Sequence, residues 1–449
     1  MSTLPETRAY GVPVLTMDPA QPRAEAFAVA GDTIVAVGSI EHVREVTGID
    51  PVALDGVVLP GLIDAHLHME RGALKMLSYV REGASLDELL RRMDETFDDE
   101  DWAGVEPPTL AQRVDALRRF QPYLHEMGIT SAVDPAATPD ELAGYQEAVR
   151  QGALTVRTVA MPYLEIGSAE TPDVDAVIAR LAGVGASTRF GDDLLRLGPI
   201  KVYADGEALK GQALLEQPWD ESGYTGLSRL DEAEFDRLVQ WCAANGWGVG
   251  THAVGGAAIG MVTRAYARAG DAVRERGFQL IHAYLEPSPE TIALAAEIGV
   301  IASLQPSIIW HNGSGLRAKL GDRAERSNPV RSWLDAGATV AFGSDGPFFA
   351  FDPRHLMWQA VTRKVAGESE PLSLDEAITI EEALHAYTVG AAVAAFAEGR
   401  RGVIRVGAAA DWALWESDPT TGEIDALRTL RVLRTDVAGR TVYARGTSA

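Results

Sequence analysis

The sequence predicts an α/β fold: a (β/α)8 TIM barrel with a small discontinuous β-sandwich domain made by both termini. Three observations carry that expectation. From about residue 56, eight short apolar, β-branched runs alternate with longer amphipathic stretches. Polar residues of metal-binding type fall at the ends of those runs. Both ends of the chain hold short strand-like segments punctuated by Gly and Asp turns. Apolar runs bounded by turn residues read as strands, and strands alternating with helical periodicity read as a parallel sheet.

The strands are expected, in order, at 57–69 (VVLPGLIDAHLHM), 128–133, 154–161, 198–204, 246–253, 277–283, 299–306 and 338–345. Helical patterns such as AQRVDALRRFQPYLHEM, DEAEFDRLVQWCAAN and PETIALAAEI separate them. Residues 56–400 are thus assigned to the barrel. Residues 1–55 contain AYGVPVLTM and AEAFAVAGDTIVAVG; residues 401–449 contain GVIRVGAAADWALWE and RVLRTDVAGRTVYA. Neither end has enough strands to bury a core alone, so the two are expected to pair as one sandwich. The acidic, Pro-containing stretch TFDDEDWAGVEPP at 96–108 reads as a solvated loop.

At 449 residues there is room for a barrel, which takes ~250 residues or more, and for a smaller unit beside it. The 46% hydrophobic and 23% charged fractions exclude disorder as the default. With 64 acidic against 40 basic residues the formal charge is −24, which argues against nucleic acid or an anionic membrane as partner. The single cysteine, Cys242, excludes an intramolecular disulfide and reads as a buried structural thiol. MSTLPETRAY lacks a basic start followed by an apolar run, and no stretch reaches ~18 apolar residues without charge. A cytoplasmic enzyme acting on a small molecule is the expectation.

The chemistry lies in where the histidines fall. His66 and His68 form an H-x-H at the end of the first strand, and residues two apart on a strand point the same way, toward one ion. Lys201 lies in the fourth strand within an apolar run. His252 closes the fifth strand, His282 the sixth and Asp345 the eighth. In a TIM barrel the C-terminal strand ends converge on one mouth, where active sites lie. Five ligands of familiar type and one lysine would meet there.

These same segments, LPGLIDAHLHM, IKVYADG, THAVGG, IHA and FGSDGP, resemble the successive strand motifs of the amidohydrolase superfamily, and in particular its YtcJ-like (amidohydrolase-3) branch in a short form. The tail from LSLDEAITIEEALHAYTVG to ADWALWESDP is similar to that branch's closing helix and return to the sandwich. The resemblance implies that His66 and His68 hold one metal with Asp345, that His252 and His282 hold a second, and that Lys201, carboxylated by CO2, bridges them. It implies Zn2+, one ion or two, with Mn2+ or Fe2+ as substitutes, and a homodimer. A free lysine is cationic and has no acceptor, whereas its carbamate behaves as a carboxylate. A bound ion lowers the pKa of water from ~15.7 to about 7. Asp345 is expected to take the water's proton and return it to the leaving amine.

The chain departs from the family pattern in three places. Only about 60 residues separate His68 from GITSAV, so a sizeable insertion of the long members looks absent. The usual HAIGD reads His252-Ala-Val-Gly-Gly, and DGSLGSR reads DGEALKG. Substrate contacts are expected from Tyr203, and from Gln305, Trp310, His311 and Arg317 in a polar, aromatic loop after the seventh strand. Asp205 and Lys210 face the same region, although Asp205-Gly206 reads equally as a plain turn. His42, His125, His355 and His385 read as structural or surface residues.

The expected reaction is hydrolysis of an amide-type C–N bond in an N-acyl or N-formyl amine by metal-activated hydroxide. Heterocycle deamination is the runner-up, weakened because no H-x-x-E stands in the matching place. A decarboxylase or lactonase could use the same site. A non-catalytic scaffold is disfavoured, since all six ligand positions are filled.

Overall fold

A computed structural model of the chain describes residues 6–78, 80–95, 107–349 and 351–446. Two parallel sheets carry the centre of the molecule. One has four strands, Leu62–Asp64, Ile129–Ala137, Arg157–Pro162 and Leu195–Leu197. The other has five, Ile200–Tyr203, Val249–Gly255, Gln279–Leu285, Ile301–Leu304 and Thr339–Phe342. Helices fill the intervals, and several start where the sequence says they must. Thr109 with Gln112, and Thr138 with Glu141, form reciprocal capping boxes that open the helices Leu110–Glu126 and Pro139–Arg150.

The two sheets meet at both ends. Leu195–Leu197 and Ile200–Tyr203 are one run broken at Gly198-Pro199, its first part paired with Arg157–Pro162 and its second with Val249–Gly255. A parallel bridge also joins Tyr163 to Lys201. At the other end the Ala65 N–H donates to the Phe342 carbonyl at 2.9 Å. Ile63, Val133, Val159, Met161, Ile281, Ile301 and Ala341 come from both sheets and pack in a single apolar cluster.

Strands from both ends of the chain share an eight-stranded, mostly antiparallel sheet. Its N-terminal part includes Thr7–Leu15, Arg23–Ala30 and Thr33–Gly38, and its C-terminal part is Trp412–Trp415, Val432–Val437 and Arg440–Ala444. Tyr10, Phe27 and Trp412 stack across it with centroids 5.3–5.4 Å apart. A buried bidentate pair fastens this sheet to the parallel ones: Arg157 Nε and Nη2 donate to Asp411 at 2.7 and 3.0 Å. No described helix is long and apolar enough to cross a membrane.

Two sequence expectations need correction. The run 57–69 is not one strand. Val57–Pro60 pairs antiparallel with Trp412–Trp415 in the terminal sheet, whereas Leu62–Asp64 belongs to the parallel sheet. The chain changes sheet at Gly61, beyond residue 55, where the backbone runs so close to Thr130 that a Cβ would lie 2.3 Å from its side chain. Second, the polar segment after the seventh strand is the helix Ser307–Leu320, not a loop. Its buried face, Ile308, Asn312, Leu316 and Leu320, has four-residue spacing. Gly313 and Gly315 hide that pattern by lowering helix propensity, yet both are needed for packing: a Cβ at either would stand 2.7 Å from Val365 or Leu209. The acidic stretch 96–108 lies outside the described residues apart from its last two prolines. His125 is structural, its ring nitrogens 3.0 Å from the Ile129 carbonyl and 2.8 Å from the Thr155 hydroxyl.

Substituting Gly61→Ala tests the sheet crossing. The added methyl is expected to lower the free energy of unfolding by about 1–3 kcal/mol, read as a shift in urea midpoint. A midpoint equal to that of the parent would count against a tight crossing at this residue.

Candidate metal centre

The site is assembled by lacing the end of the first parallel strand to the end of the last. Asp64 is fully buried, and its Oδ1 accepts from the backbone N–H groups of His66 and Ser344, both at 3.0 Å. The Asp345 N–H donates to the His66 carbonyl at 2.7 Å, and the His68 N–H to that of Gly346 at 3.0 Å. Gly343 permits this approach, since a Cβ there would fall 2.4 Å from the His66 nitrogen. As a result, Asp345 Oδ1 lies 3.2 Å from His66 Nε2 and 3.3 Å from His68 Nε2.

His282 enters from the adjoining sheet. Its Nδ1 is 2.7 Å from Gln305 Oε1, and the Gln305 amide in turn donates to the Ser303 carbonyl at 3.2 Å. An acceptor on Nδ1 fixes the proton there and leaves Nε2 with a free lone pair. His66, His282 and Asp345 each bring one ligand atom within 4.8 Å of the others. His282 and Asp345 hold φ of 74° and 58°, left-handed values that cost a non-glycine residue roughly 1–3 kcal/mol and cluster at functional sites.

His252 completes the group, its ring 4.6 Å from that of His282. Its Nε2 is buried without a hydrogen bond and lies 3.6 Å from Asp205 Oδ1. Asp205 is more than a turn residue: it accepts from the N–H groups of Leu214, Val254 and Gly255 at 2.8–3.0 Å. Lys201 is buried and lines the same cavity as the four histidines and Asp345, a space of about 480 Å³.

Burial sets the protonation states. It pushes His66 down to about 3 and His282 to about 4, so both are neutral near pH 7 and able to bind a cation. Burial alone would raise Asp345, but His66, His68 and His282 together hold it well below the usual carboxylate range. Burial lowers the Lys201 ammonium to about 7, with Asp345 pulling the other way. Neutral imidazoles, an ionised carboxylate and a lysine poised to lose its proton fit a metal ion better than they fit any purely structural role, because an unpaired buried cation is costly. His66, His68, His252, His282, Asp345 and Lys201 could hold it.

The other sequence candidates divide. Tyr203 lines the cavity, and Gln305 touches it through His282. Trp310 does not line it; its ring packs 5.1 and 5.5 Å from those of His355 and Trp358. Arg317 is drawn to Glu368 and to the carbonyls of Glu370 and Pro371, tying a neighbouring segment to its helix. His311 packs on Phe349, which is itself a cavity wall. The helix Ser307–Leu320 instead offers Ile308 and Asn312. Sequence reasoning missed Asp64 and Asp134. Asp134 Oδ2 accepts from the Glu70 N–H and the Tyr145 hydroxyl, with Oδ1 4.0 Å from His68 Nδ1, and burial pushes it up to about 8. An aspartate inside an otherwise apolar strand was the available signal in LID and SAVDP.

A description of the amidohydrolase family matches residues 81–443, and the chain belongs to that family. It is 30% identical over 259 residues to an N-substituted formamide deformylase of Arthrobacter pascens, covering 56% of this chain and 46% of that protein. It is also 30% identical over 256 residues to the putative amidohydrolase YtcJ of Bacillus subtilis (strain 168), covering 56% and 48%. The chain spans about half the length of these curated relatives. Among solved structures, a metal-dependent hydrolase from Pyrococcus horikoshii OT3 superposes with a TM-score of 0.76 at 19% identity, over 94% of this chain and 99% of that one. The atrazine chlorohydrolase TrzN from Arthrobacter aurescens TC1, complexed with zinc, gives 0.62 at 21% identity over 98% and 95%. Both share the fold.

The lowered histidines have a consequence for stability. Between about pH 6.5 and 4 the unfolded chain binds protons that buried, neutral His282 refuses. Its contribution is therefore complete above 6.5 and is lost as the pH falls toward 4. In the metal-stripped protein, His282→Asn is expected to flatten the fall of unfolding free energy across that window. Parallel pH profiles for variant and parent would refute the assignment.

Proposed function

We propose that the protein is a metal-dependent hydrolase that cleaves an amide-type C–N bond of a small N-acyl or N-formyl amine. The observation that carries this reading is the convergence of His66, His282 and Asp345, with ligand atoms within 4.8 Å of one another, beside His68, His252 and Lys201 in one cavity. We also read the two parallel sheets as arcs of one (β/α)8 barrel, with the broken strand at Gly198-Pro199 and the Ala65–Phe342 bond as its seams, and the terminal sheet as its sandwich domain. Zn2+ is the proposed ion, held by the four histidines and Asp345. When bound, such an ion polarises a carbonyl and makes water acidic near neutral pH.

The chain's own residues do the rest. Asp345 uses Oδ1 toward His66 and His68, which leaves Oδ2 to accept the proton of the attacking water and return it to the departing amine nitrogen. Lys201 is proposed to be carboxylated: its neutral amine, favoured by burial, adds to CO2, an N–C bond forms and one proton leaves to solvent. The carbamate would be an anionic ligand for the ion, where an ammonium would repel it. Asp205 and Gln305 keep His252 and His282 in place, and Asp134 stands behind His68. Leu209, Ile308, Phe348 and Phe349 give the cavity an apolar wall for the substrate's carbon skeleton. The formamide deformylase relative supports the amide choice.

Elemental analysis of protein purified without added metal, followed by amine release from a panel of N-acyl and N-formyl amines, tests the reading. Bound metal and amine release that stops on chelation and returns on refilling are expected; a folded, metal-free chain inert on the whole panel would overturn it. Asp345→Asn should keep the fold and cost at least about 100-fold in kcat, and near-parental turnover would remove it as the base. Lys201→Ala should lose metal, with partial recovery in short-chain carboxylic acids. Unchanged metal content would exclude the bridging carbamate.

A further inference from the structure

We propose that Arg229 and the hydroxyls of Tyr163 and Tyr203 form a recognition point for a carboxylate at the end of the substrate remote from the scissile amide. The proposal rests on the hydrolase reading and narrows it to amides carrying a distal monoanion.

Tyr203 stands between two cavities. It lines the metal cavity, where its ring is 4.9 Å from that of His252. It also lines a second space of about 40 Å³ with Tyr163, Ile166 and Arg229. The Tyr163 ring lies 5.6 Å from that of Tyr203 at 78°, and the Arg229 guanidinium carbon is 5.8 Å from the Tyr203 centroid. That space has the size of about two or three waters, or of one carboxylate that displaces them.

All three groups are donors in search of an acceptor. Among the described residues, neither hydroxyl and no nitrogen of the Arg229 side chain has a hydrogen-bond or ion-pair partner. The neighbouring cations differ. Arg71 is held by both oxygens of Glu141, at 3.0 and 3.2 Å, and Lys210 lies 3.0 Å from Glu207. Both phenols are O–H donors at neutral pH, as any tyrosine is. A guanidinium fork flanked by hydroxyls matches a carboxylate.

Arg229 is exposed but its backbone is fixed: its N–H donates to the Ala204 carbonyl at 2.9 Å, three residues past Lys201. The loop is thus tied back to the strand end that carries the lysine. Arg229 also shares a surface groove with Asp231 and Glu232 and acts through space on buried Asp205, but among the described residues none of these carboxylates is hydrogen-bonded to its guanidinium. Glu165 borders the same small cavity, which favours a monoanion over a dianion such as phosphate. Because Tyr203 and His252 stand between Arg229 and the remaining ligands, the carboxylate must be several bonds from the amide.

The test is a series of ω-formamidocarboxylates, from formylglycine upward, each paired with the neutral N-alkylformamide of equal length. On the metal-loaded protein, kcat/KM should favour the carboxylate by roughly 10- to 100-fold at an intermediate length, and the preference should shrink with added salt. Arg229→Gln should collapse the preference through KM, and Tyr163→Phe should reduce it. Equal kcat/KM for every pair overturns the proposal. Calorimetry of the same pairs with metal-stripped protein separates this from hydrolysis. Tighter binding of the carboxylate, lost in Arg229→Gln, upholds the subsite even if no amide is cleaved, and equal binding of both members rejects it.

Discussion

The site depends on one buried carboxylate that never faces substrate. Asp64 Oδ1 accepts from the N–H groups of His66 and Ser344, which belong to opposite ends of the parallel-strand series. That pair of bonds brings the H-x-H beside Asp345 and so creates the three-atom convergence on which metal binding rests. The arrangement is demanding. It needs the absence of a side chain at Gly343 and a left-handed backbone at Asp345. Burial raises the Asp64 carboxyl to about 7, so two donated N–H groups offset only part of its desolvation. The surrounding packing has to supply the difference.

Desolvation also decides the electrostatics of everything else in the pocket. It keeps the imidazoles neutral, which ligation requires, and it brings the lysine to the edge of deprotonation, which carboxylation requires. The same dryness would neutralise Asp345 if the histidines were not arrayed around it. One physical effect therefore prepares donors of opposite charge type, and the selectivity comes from who sits next to whom. Supporting groups share the work: Gln305 fixes the tautomer of His282, and Asp205 pins the backbone beyond His252 while approaching its Nε2.

The sequence carried the alternation of strands and helices, the pairing of both termini into one sheet, and all six residues that converge on the cavity. Those features are local: periodicity, and polar residues at the ends of apolar runs. What it did not carry is non-local. Nothing in VVLPGLIDAH announces that the chain leaves one sheet for the other at Gly61, a position so close to Thr130 that only glycine fits. The helix Ser307–Leu320 contains Gly313-Ser314-Gly315, whose low propensity argues for a loop, and it survives because those glycines fit against Val365 and Leu209. Trp310 and Arg317 were reasonable wall residues for a loop. Once the segment is a helix, only the face with Ile308 and Asn312 reaches the cavity, and the other two turn to Trp358 and Glu368.

The distribution of charge around the mouth extends this logic from fold to specificity. A strongly acidic chain gains little from attracting anions over its surface, so an arginine that remains without a carboxylate there stands out against the paired Arg71 and Lys210. Arg71 and Arg229 both lie near Tyr203, yet Glu141 occupies the first and leaves the second to the solvent. The two cavities that meet at Tyr203 then offer three regions of distinct chemistry: the proposed ligands and base around Asp345, an apolar wall at Ile308 and Phe348, and donors beyond Tyr203. An amide held at the first, with its chain along the second, would bring a terminal anion to the third. The left-handed backbone at His282 and Asp345 is held by buried partners such as Gln305 and His66, whereas recognition at Arg229 can remain at the exposed rim.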